Sequence, residues 1–143
     1  MKRLSLLSLL AALVVGPGSA DATCFAEAAA RYKVSERLLR SIQVTENVSG
    51  KADIINTSNS DGSKDIGFMQ INSWWLPKLA SYGIGERDLL NACVSVNVAA
   101  WILANNIVTY GRTWKAVGAY NSPHVENQRI YIQKIMNNYG RSL

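Results

Sequence analysis

The chain has 143 residues, a formal net charge of +5 and 48% hydrophobic residues, which suits one domain with one core. A mild positive charge favours acidic polymers such as cell wall or nucleic acid, but it also serves solubility. The basic residues are scattered, with no run longer than Lys2-Arg3, which argues against a nucleic-acid-binding protein. With His124 as the one histidine beside two cysteines, we expect no metal site and no cofactor.

The first 22 residues have the organisation of a secretory signal peptide. A basic start precedes the apolar run 4–15, and Pro17 and Gly18 break that run before the small-x-small sequence Ala20-Asp21-Ala22. The run is too short for a membrane anchor, because a spanning helix needs about 20 apolar residues. We therefore expect cleavage after Ala22, and an exported monomer made of residues 23–143.

Both cysteines, Cys24 and Cys93, lie in the part of the chain that is predicted to be exported. In an oxidising compartment two cysteines most simply form one disulfide. Such a bond would join the start of the mature chain to a distant point and contribute on the order of 4 kcal/mol in the chain-entropy model.

Helical patterns cover most of the mature chain, and one polar stretch interrupts them. In chain order, helices are predicted over 24–32; from Glu36, with Ser35 as N-cap, until Ser49-Gly50 ends it; over 74–82; over 86–90 as one turn; over 94–110, ended by Gly111; over 114–120 with Thr113 as N-cap; and from Ser122-Pro123 to about 139. Residues 53–67 are polar and rich in turn formers, which predicts a loop or a small irregular hairpin. The fold class is α+β, mostly α, in a single domain.

Glu46 is predicted to lie near the C-terminal end of the second helix, whose other face is apolar. The negative end of the helix dipole and nearby apolar side chains should both raise the pKa of a carboxyl group there. A carboxylic acid that stays protonated near neutral pH can donate the proton that cleavage of a glycosidic bond requires. Position alone also fits an ordinary solvated glutamate at a helix end.

The segment 61–75, DGSKDIGFMQINSWW, joins a tight turn to an apolar run that carries the amides of Gln70 and Asn72. Such amides donate and accept hydrogen bonds and suit sugar N-acetyl and hydroxyl groups. Several aromatic side chains either offer flat faces to sugar rings or belong to the core: Trp74, Trp75, Tyr82, Trp114 and Tyr120. Trp101, in the middle of the long helix, is expected in the core.

These features follow one another in a specific order. Glu46 is followed by DIGFMQINSWWL from Asp65, by AAWILA downstream of Cys93, and by WKAVGAYN from Trp114. The order resembles the lytic transglycosylase family with the lysozyme-like fold, and more narrowly its small, soluble members that accompany secretion, conjugation and pilus machines. The resemblance covers about residues 24–135. It implies a periplasmic protein that acts on peptidoglycan glycan strands, with components of such a machine as partners.

The resemblance also implies a reaction and a role for each matching position. The reaction would cleave the bond between N-acetylmuramic acid (MurNAc) and N-acetylglucosamine (GlcNAc) and form 1,6-anhydromuramic acid. The implied roles are general acid and then base for Glu46; cleft contacts for Gln70 and Asn72; the cleft floor for Met69; and a place near the sugar and the carboxylate for Tyr120 and Asn121. The chain departs from the family pattern at Asn47, where serine is usual, and at Ser122-Pro123 after the A-Y-N sequence.

Asp65 leaves the outcome of the reaction open. If it faces Glu46 across a cleft, like the second acid of hydrolytic lysozymes, a muramidase that uses both carboxyl groups is possible. Asp61 is a weaker form of the same idea. Asp65 equally suits a turn residue that bonds to nearby backbone N–H groups. A peptidoglycan-binding module without activity is a further alternative, since it would keep the aromatic and amide side chains but would not need Glu46.

Overall fold

The computed structural model describes residues 20–122 and 124–141, with side chains from residue 24 onward. The predicted signal peptide lies outside the described residues, except that the backbone of residues 20–22 forms the start of the first helix. The predicted helix start at Pro123 also lies outside them.

The described part of the chain is mostly helical with a small sheet, as the sequence predicted. The helices are α1 (Ala20–Tyr32), α2 (Glu36–Glu46), α3 (Leu76–Ala80), α4 (Ala92–Tyr110), α5 (Trp114–Asn121) and α6 (Val125–Arg141), with short 3-10 helices at Ser73–Trp75 and Asp88–Leu90. The strands are β1 (Ile55–Asn56), β2 (Asp65–Ile66) and β3 (Ile71–Asn72). This α+β architecture, dominated by helices, is the fold class that the sequence predicted.

The sheet is antiparallel in the order β1-β2-β3. Ile66 is opposite Ile55 on one side and Ile71 on the other, and Asp65 is opposite Asn72. The predicted hairpin is therefore present, but a third strand follows it. Strands of two residues are too short to show the alternation of apolar and polar side chains by which a strand is recognised.

Side-chain caps define several helix starts. The Ser35 hydroxyl accepts a hydrogen bond from the Leu38 N–H group at 3.1 Å, as predicted, and the Asn91 side chain does the same for Val94 at 3.1 Å. Thr113 precedes α5 as predicted, but its hydroxyl group donates to the Tyr110 carbonyl at 3.0 Å and does not cap the helix.

Helix α4 lies at the centre of the core. Val96, Ala99 and Leu103 on this helix are fully buried, and α4 contacts α1, α5 and the sheet. By length and apolar composition α4 is the one candidate for a membrane span among the described residues. Its buried face accounts for that composition, because the interior helix of a small domain is apolar for the same reason.

Two close contacts join the helices around α4. The predicted disulfide between Cys24 and Cys93 is present and joins α1 to α4, with the Cα atoms 5.3 Å apart. At Gly118 on α5, a Cβ atom would lie only 2.8 Å from the Gln128 Cβ atom on α6, so glycine is needed for these helices to approach. Helix α6 also contacts α2, so α6 packs against both α5 and α2.

Candidate active site

Glu46 is the last residue of α2, and its side chain is half-buried. The sequence predicted it near the end of this helix, but the helix stops there and not at Ser49-Gly50. Four residues interact with the carboxyl group of Glu46 through a hydrogen bond or through electrostatic effects on a pKa. They come from the sheet and the last two helices: Asp65 on β2, Tyr120 on α5, and Tyr131 and Lys134 on α6. The site is thus assembled from segments far apart in sequence, and the packing of α6 onto α2 and of α5 onto α6 brings them together.

The pKa of Glu46 is raised to about 7. Burial is the main cause, because removing the carboxylate from water disfavours its charged form, and the negative charge of Asp65 adds to the shift. A hydrogen bond from Tyr131 and the positive charge of Lys134 act in the opposite direction. The carboxyl group is therefore about half protonated near neutral pH, which agrees with the direction expected from the sequence.

Tyr131 is a site residue that the sequence did not indicate. Its side chain is 4% exposed, and among the described residues no group meets strict hydrogen-bond geometry at its hydroxyl group. The hydroxyl nevertheless lies close enough to Glu46 to lower the pKa of that carboxyl group by hydrogen bonding. We regard Glu46 as its partner, because a buried hydroxyl group without one is costly. In the sequence, Tyr131 has the pattern of a core residue on an amphipathic helix.

Tyr120 is close enough to Glu46 and Asp65 to feel their charges, and its orientation is fixed by a backbone contact. Its hydroxyl group donates to the Met69 carbonyl at 3.1 Å. Burial raises the pKa of Tyr120 well above its usual value, and the charges of Glu46 and Asp65 raise it further. Asn121, the last residue of α5, is exposed, and within the described chain its side chain makes no hydrogen bond.

Met69 contributes to the site through its backbone. The side chain is fully buried in the core, so it does not form the floor of an open cleft as expected. Its N–H group donates to the Ser95 hydroxyl at 3.0 Å, while its carbonyl group holds Tyr120. Ser95 is fully buried on α4, and it therefore connects the central helix to the site without contacting solvent.

Asp65 is held in place by two amide groups. One carboxylate oxygen accepts a hydrogen bond from the Asn59 side chain at 2.9 Å, and the other accepts from the Asn72 side chain at 3.0 Å. These bonds fix the carboxylate in a position from which its charge raises the pKa of Glu46. Asp61, in contrast, is exposed and does not belong to the site. Its carboxylate accepts a hydrogen bond from the Ser63 N–H group at 2.9 Å within the same turn, and this bond lowers the pKa of Asp61.

The side-chain amide of Asn72 forms hydrogen bonds with other residues of the protein. Besides Asp65, its NH₂ group donates to the Ser63 hydroxyl at 3.0 Å, and its oxygen accepts from the Trp74 N–H group at 3.0 Å as N-cap of the 3-10 helix. Both donor hydrogens are thus occupied. The geometry therefore favours a positioning role for Asn72 over the direct sugar contact that the sequence suggested.

Gln70 lies in a tight turn. Its backbone has a φ angle of 51°, in the left-handed region, and its side-chain NH₂ group donates to the Gly67 carbonyl at 2.9 Å. The side-chain oxygen accepts no hydrogen bond from any residue that the structure describes. Gln70 can therefore act toward a ligand as an acceptor.

Asn47, which stands where the family usually has serine, is 5% exposed and fully used in hydrogen bonding. Its NH₂ group donates to the carbonyl groups of Lys51 at 2.8 Å and Phe68 at 3.3 Å, and its oxygen accepts from Ser49 Oγ at 2.7 Å and Gly50 N at 3.1 Å. The side chain therefore fastens the loop after α2 to the turn before β3. No capacity is left for holding a substrate.

A cavity of about 320 Å³ is not part of this site. It lies at the other end of α2 and involves Leu38, Ile107 and Trp114. None of the predicted site residues lines it, so it does not bear on the chemistry at Glu46.

Known proteins show the same domain. The family model described as "Transglycosylase SLT domain" matches residues 23–137. Invasion protein IagB of Salmonella typhimurium is 39% identical over 128 residues, which cover 86% of this chain and 79% of that protein. Protein IpgF of Shigella flexneri is 37% identical over 130 residues, 87% of this chain and 84% of that protein. The peptidoglycan-binding-like protein of Escherichia coli O157:H7 is 32% identical over 131 residues, 87% and 78% of the two chains. The chain therefore belongs to the transglycosylase SLT domain family, the lytic transglycosylases whose fold is lysozyme-like and whose substrate is peptidoglycan.

Proposed function

We propose that this protein is a peptidoglycan lytic transglycosylase that cleaves the β-1,4 bond between MurNAc and GlcNAc with Glu46 as its acid and base. The observation that carries the proposal is the half-buried carboxyl group of Glu46, whose pKa is about 7. Such a group donates and recovers a proton near neutral pH, and general acid–base catalysis is most efficient when the catalytic pKa lies near the working pH.

The proposed reaction needs one proton donor and no water. Glu46 protonates the glycosidic oxygen, and the bond between that oxygen and muramic C1 breaks as positive charge develops at C1. The substrate's own N-acetyl group supports this oxocarbenium-like centre. The Glu46 carboxylate then takes the proton of the muramic C6 hydroxyl group, whose oxygen bonds to C1 and closes the 1,6-anhydro ring.

We assign Asp65 an electrostatic role in this reaction. Its carboxylate is fixed by Asn59 and Asn72, and a negative charge held in place near developing positive charge stabilises the transition state without reorganisation. The same anion raises the pKa of Glu46 and so keeps the acid protonated. Tyr120, Gln70 and Asn121 remain proposed substrate contacts.

The electrostatic effect of Asp65 on Glu46 also favours a second candidate, a muramidase. In that case water would attack C1, and Asp65 would act as the second carboxylate of a hydrolase. The two candidates differ by one water in their products. Asp65 is already committed to two amide donors, which suits a fixed anion better than a nucleophile.

Mass spectrometry of digested, purified peptidoglycan tests the proposal. We expect muropeptides one water lighter than hydrated ones from the wild type, and none from Glu46→Gln. Glu27→Gln is the matched control, because Glu27 is an exposed glutamate on α1. Hydrated products with reducing ends would establish the muramidase, and wall binding without any cleavage would establish a binding module.

We further propose that residues 1–22 direct export and are removed, that residues 23–143 act in the periplasm as a monomer, and that the enzyme opens the wall for an envelope-spanning secretion or pilus apparatus. The relative from Salmonella typhimurium named an invasion protein supports this direction. Amino-terminal sequencing of the periplasmic protein should give Thr23 as the first residue. Failure to co-purify with any envelope complex would count against the last step.

A further inference from the structure

The cavity of about 320 Å³ at the start of α2 has walls of apolar and aromatic side chains from four helices. These walls are Leu38, Ile107, Trp114, Val117 and Tyr139, and Arg112 also borders the cavity. We call it the apolar pocket. It lies where the start of α2, the last turns of α4 and α6, and the start of α5 meet, so its shape is set by the packing of the core helices.

Trp114 exposes a large apolar face at the apolar pocket. Its side chain is 42% exposed, whereas Val117, three residues further along α5, is buried. Trp101, which was expected in the core, is partly buried and packs against it. An exposed tryptophan beside a concave apolar surface is typical of a site that binds another protein.

The hydroxyl groups at the apolar pocket form hydrogen bonds within the protein. The Ser35 hydroxyl group accepts from the Leu38 N–H group at 3.1 Å, and the Thr113 hydroxyl group donates to the Tyr110 carbonyl at 3.0 Å. A site for a small polar ligand needs several polar groups that converge on it. The walls therefore suit an inserted apolar side chain better than a small polar molecule.

Basic residues lie around the apolar pocket. Arg112 is exposed, and its guanidinium group donates to the Lys33 carbonyl at 3.4 Å, which places Lys33 next to it. On the other side, the guanidinium carbon of Arg37 lies 4.0 Å from the ring centroid of Tyr139. The surroundings of the pocket are thus positively charged.

Acidic residues do not balance this charge. Of the pocket residues that the structure describes, none is acidic, and Glu36 at the start of α2 forms an ion pair with Arg40 at 2.8 Å. Charge complementarity steers association and favours partners of opposite charge. The charge around the pocket therefore favours a partner segment that carries aspartate or glutamate.

The apolar pocket and Glu46 lie at opposite ends of α2. This helix has 11 residues and is therefore about 16 Å long. A protein that occupies the pocket thus leaves the carboxyl group of Glu46 free for a ligand of its own.

We propose that the apolar pocket is a docking site for another protein, which inserts an apolar side chain flanked by acidic residues. A concave pocket accepts a projecting side chain, whereas a bilayer surface is met by a convex apolar face. A protein segment therefore fits the pocket better than a membrane does. This inference goes beyond the proposed function and does not depend on cleavage at Glu46.

Peptide selection on the wild-type chain tests this inference. The probe is a phage-displayed library of random dodecapeptides, and the affinities of enriched peptides are then measured by fluorescence anisotropy with synthetic samples. We expect the enriched peptides to combine a large apolar residue with aspartate or glutamate on either side. Their binding should weaken about tenfold or more in Trp114→Ala and in Arg112→Glu, because tryptophan and arginine dominate the binding energy of such interfaces.

Matched control variants alter the same residue types outside the apolar pocket. Trp74→Ala changes a tryptophan that is 64% exposed, and Arg87→Glu changes an exposed arginine, so both should bind the peptides as the wild type does. Trp114→Phe should keep most of the binding, which separates the loss of a ring from misfolding. Arg112→Glu should cleave wall normally, because Arg112 is exposed and lies at the opposite end of α2 from Glu46.

Failure to enrich acidic, apolar peptides would overturn the proposal, and so would equal binding of those peptides by a folded Arg112→Glu variant. Sedimentation with phosphatidylglycerol vesicles is the second measurement. Vesicle binding that is lost in Arg112→Glu would assign this surface to a membrane and would also overturn the protein docking site. Absence of wall cleavage by the wild type would refute only the catalytic proposal, and pocket-dependent peptide binding would still support the docking site.

Discussion

The hydroxyl group of Tyr131 lies beside the carboxyl group of Glu46 and opposes the effect of burial on it. The pKa of Glu46 is about 7 because burial and the charge of Asp65 raise it, while the hydrogen bond from Tyr131 and the charge of Lys134 lower it. The two residues come from α2 and α6, so the helix packing itself sets the proton affinity of the site. The protonation state of Glu46 can therefore be tuned by substitutions outside the proposed substrate contacts.

The first prediction concerns the pH dependence of wall cleavage. Because the proposed acid must be protonated, activity should be constant below neutrality and fall above about pH 7, the pKa of Glu46, approaching tenfold per pH unit. Initial rates on purified peptidoglycan from pH 5 to pH 9 measure this. His124→Gln is the control, since imidazoles titrate in the same range and His124 is exposed. A descending limb that disappears in His124→Gln would refute the assignment.

Tyr131→Phe should move that descending limb. Removing the hydroxyl group removes a hydrogen bond that lowers the pKa of Glu46, so the limb should shift to higher pH by a fraction of a unit or more. The maximal rate should also fall, because the carboxyl group loses its orienting contact. Tyr110→Phe alters an exposed tyrosine and should leave the profile unchanged. A Tyr131→Phe profile that loses rate without shifting would reduce Tyr131 to a packing role.

Asp65→Asn should shift the descending limb of the pH–rate profile to lower pH. Its negative charge raises the pKa of Glu46, so the neutral amide should bring the limb to lower pH. If Asp65 acts electrostatically, we expect a loss of roughly 10- to 100-fold in rate and an unchanged anhydro product. A much larger loss, in an enzyme whose wild-type products are hydrated, would instead identify Asp65 as the second carboxylate of a hydrolase. Asp53→Asn, in the exposed loop before β1, is the control.

The raised pKa of Glu46 also has a consequence for stability. Its folded-state value of about 7 exceeds the ordinary value of 4.5, so the folded state holds its proton more tightly, and stability falls as the pH rises from 4.5 to 7. Glu46→Gln, neutral at every pH, should therefore be more stable than the wild type by about 2–3 kcal/mol at pH 8 and equally stable near pH 4.

Urea unfolding at pH 4, 6 and 8 measures that difference. Glu27→Gln should show no such trend, because Glu27 is exposed on α1. Equal stability of Glu46→Gln and wild type at pH 8 would mean that the carboxylate is not disfavoured by the fold, which would weaken the case for Glu46 as an acid.

Local sequence patterns were sufficient to predict α2 and the place of Glu46 on it. The Ser35 cap and the spacing of Leu38, Leu39 and Ile42 are contained within a single helix, and the observed α2 ends at Glu46. The disulfide was predictable because Cys24 and Cys93 are the two cysteines of the sequence. The third strand was missed because pairing of two residues depends on the partner strand and leaves no local pattern.

The partners of Glu46 were harder to predict for a related reason. Tyr131 and Lys134 are three residues apart on α6, and only the packing of α6 on α2 reveals what they face. For Met69 and Asn72, residue type indicated a position near the site. Residue type does not say whether a polar atom already forms a hydrogen bond within the protein. The structure shows that Asn72 is occupied by Ser63, Asp65 and Trp74.

The turn at Gly67 gives the last prediction. Gly67 has a φ angle of 77°, and a Cβ atom there would lie 2.0 Å from the Leu89 carbonyl oxygen. Gly62 has nearly the same φ angle, 78°, with nothing within 4 Å of its Cβ position. The pair therefore separates backbone strain, which both alanine variants share, from the clash, which only Gly67→Ala suffers.

We expect Gly62→Ala to cost about 1 kcal/mol in the free energy of unfolding, the usual cost of a left-handed backbone for alanine. Gly67→Ala should cost at least about 3 kcal/mol, because the Leu89 carbonyl belongs to the backbone and cannot turn aside as a side chain would. Gly67→Ala should also lose wall cleavage more steeply than stability, since the same turn carries Gln70 and the Met69 carbonyl that holds Tyr120. Urea unfolding and peptidoglycan turnover of both variants measure the two effects. Equal costs at the two positions would show that the chain relaxes around residue 67 and that the turn does not fix the site.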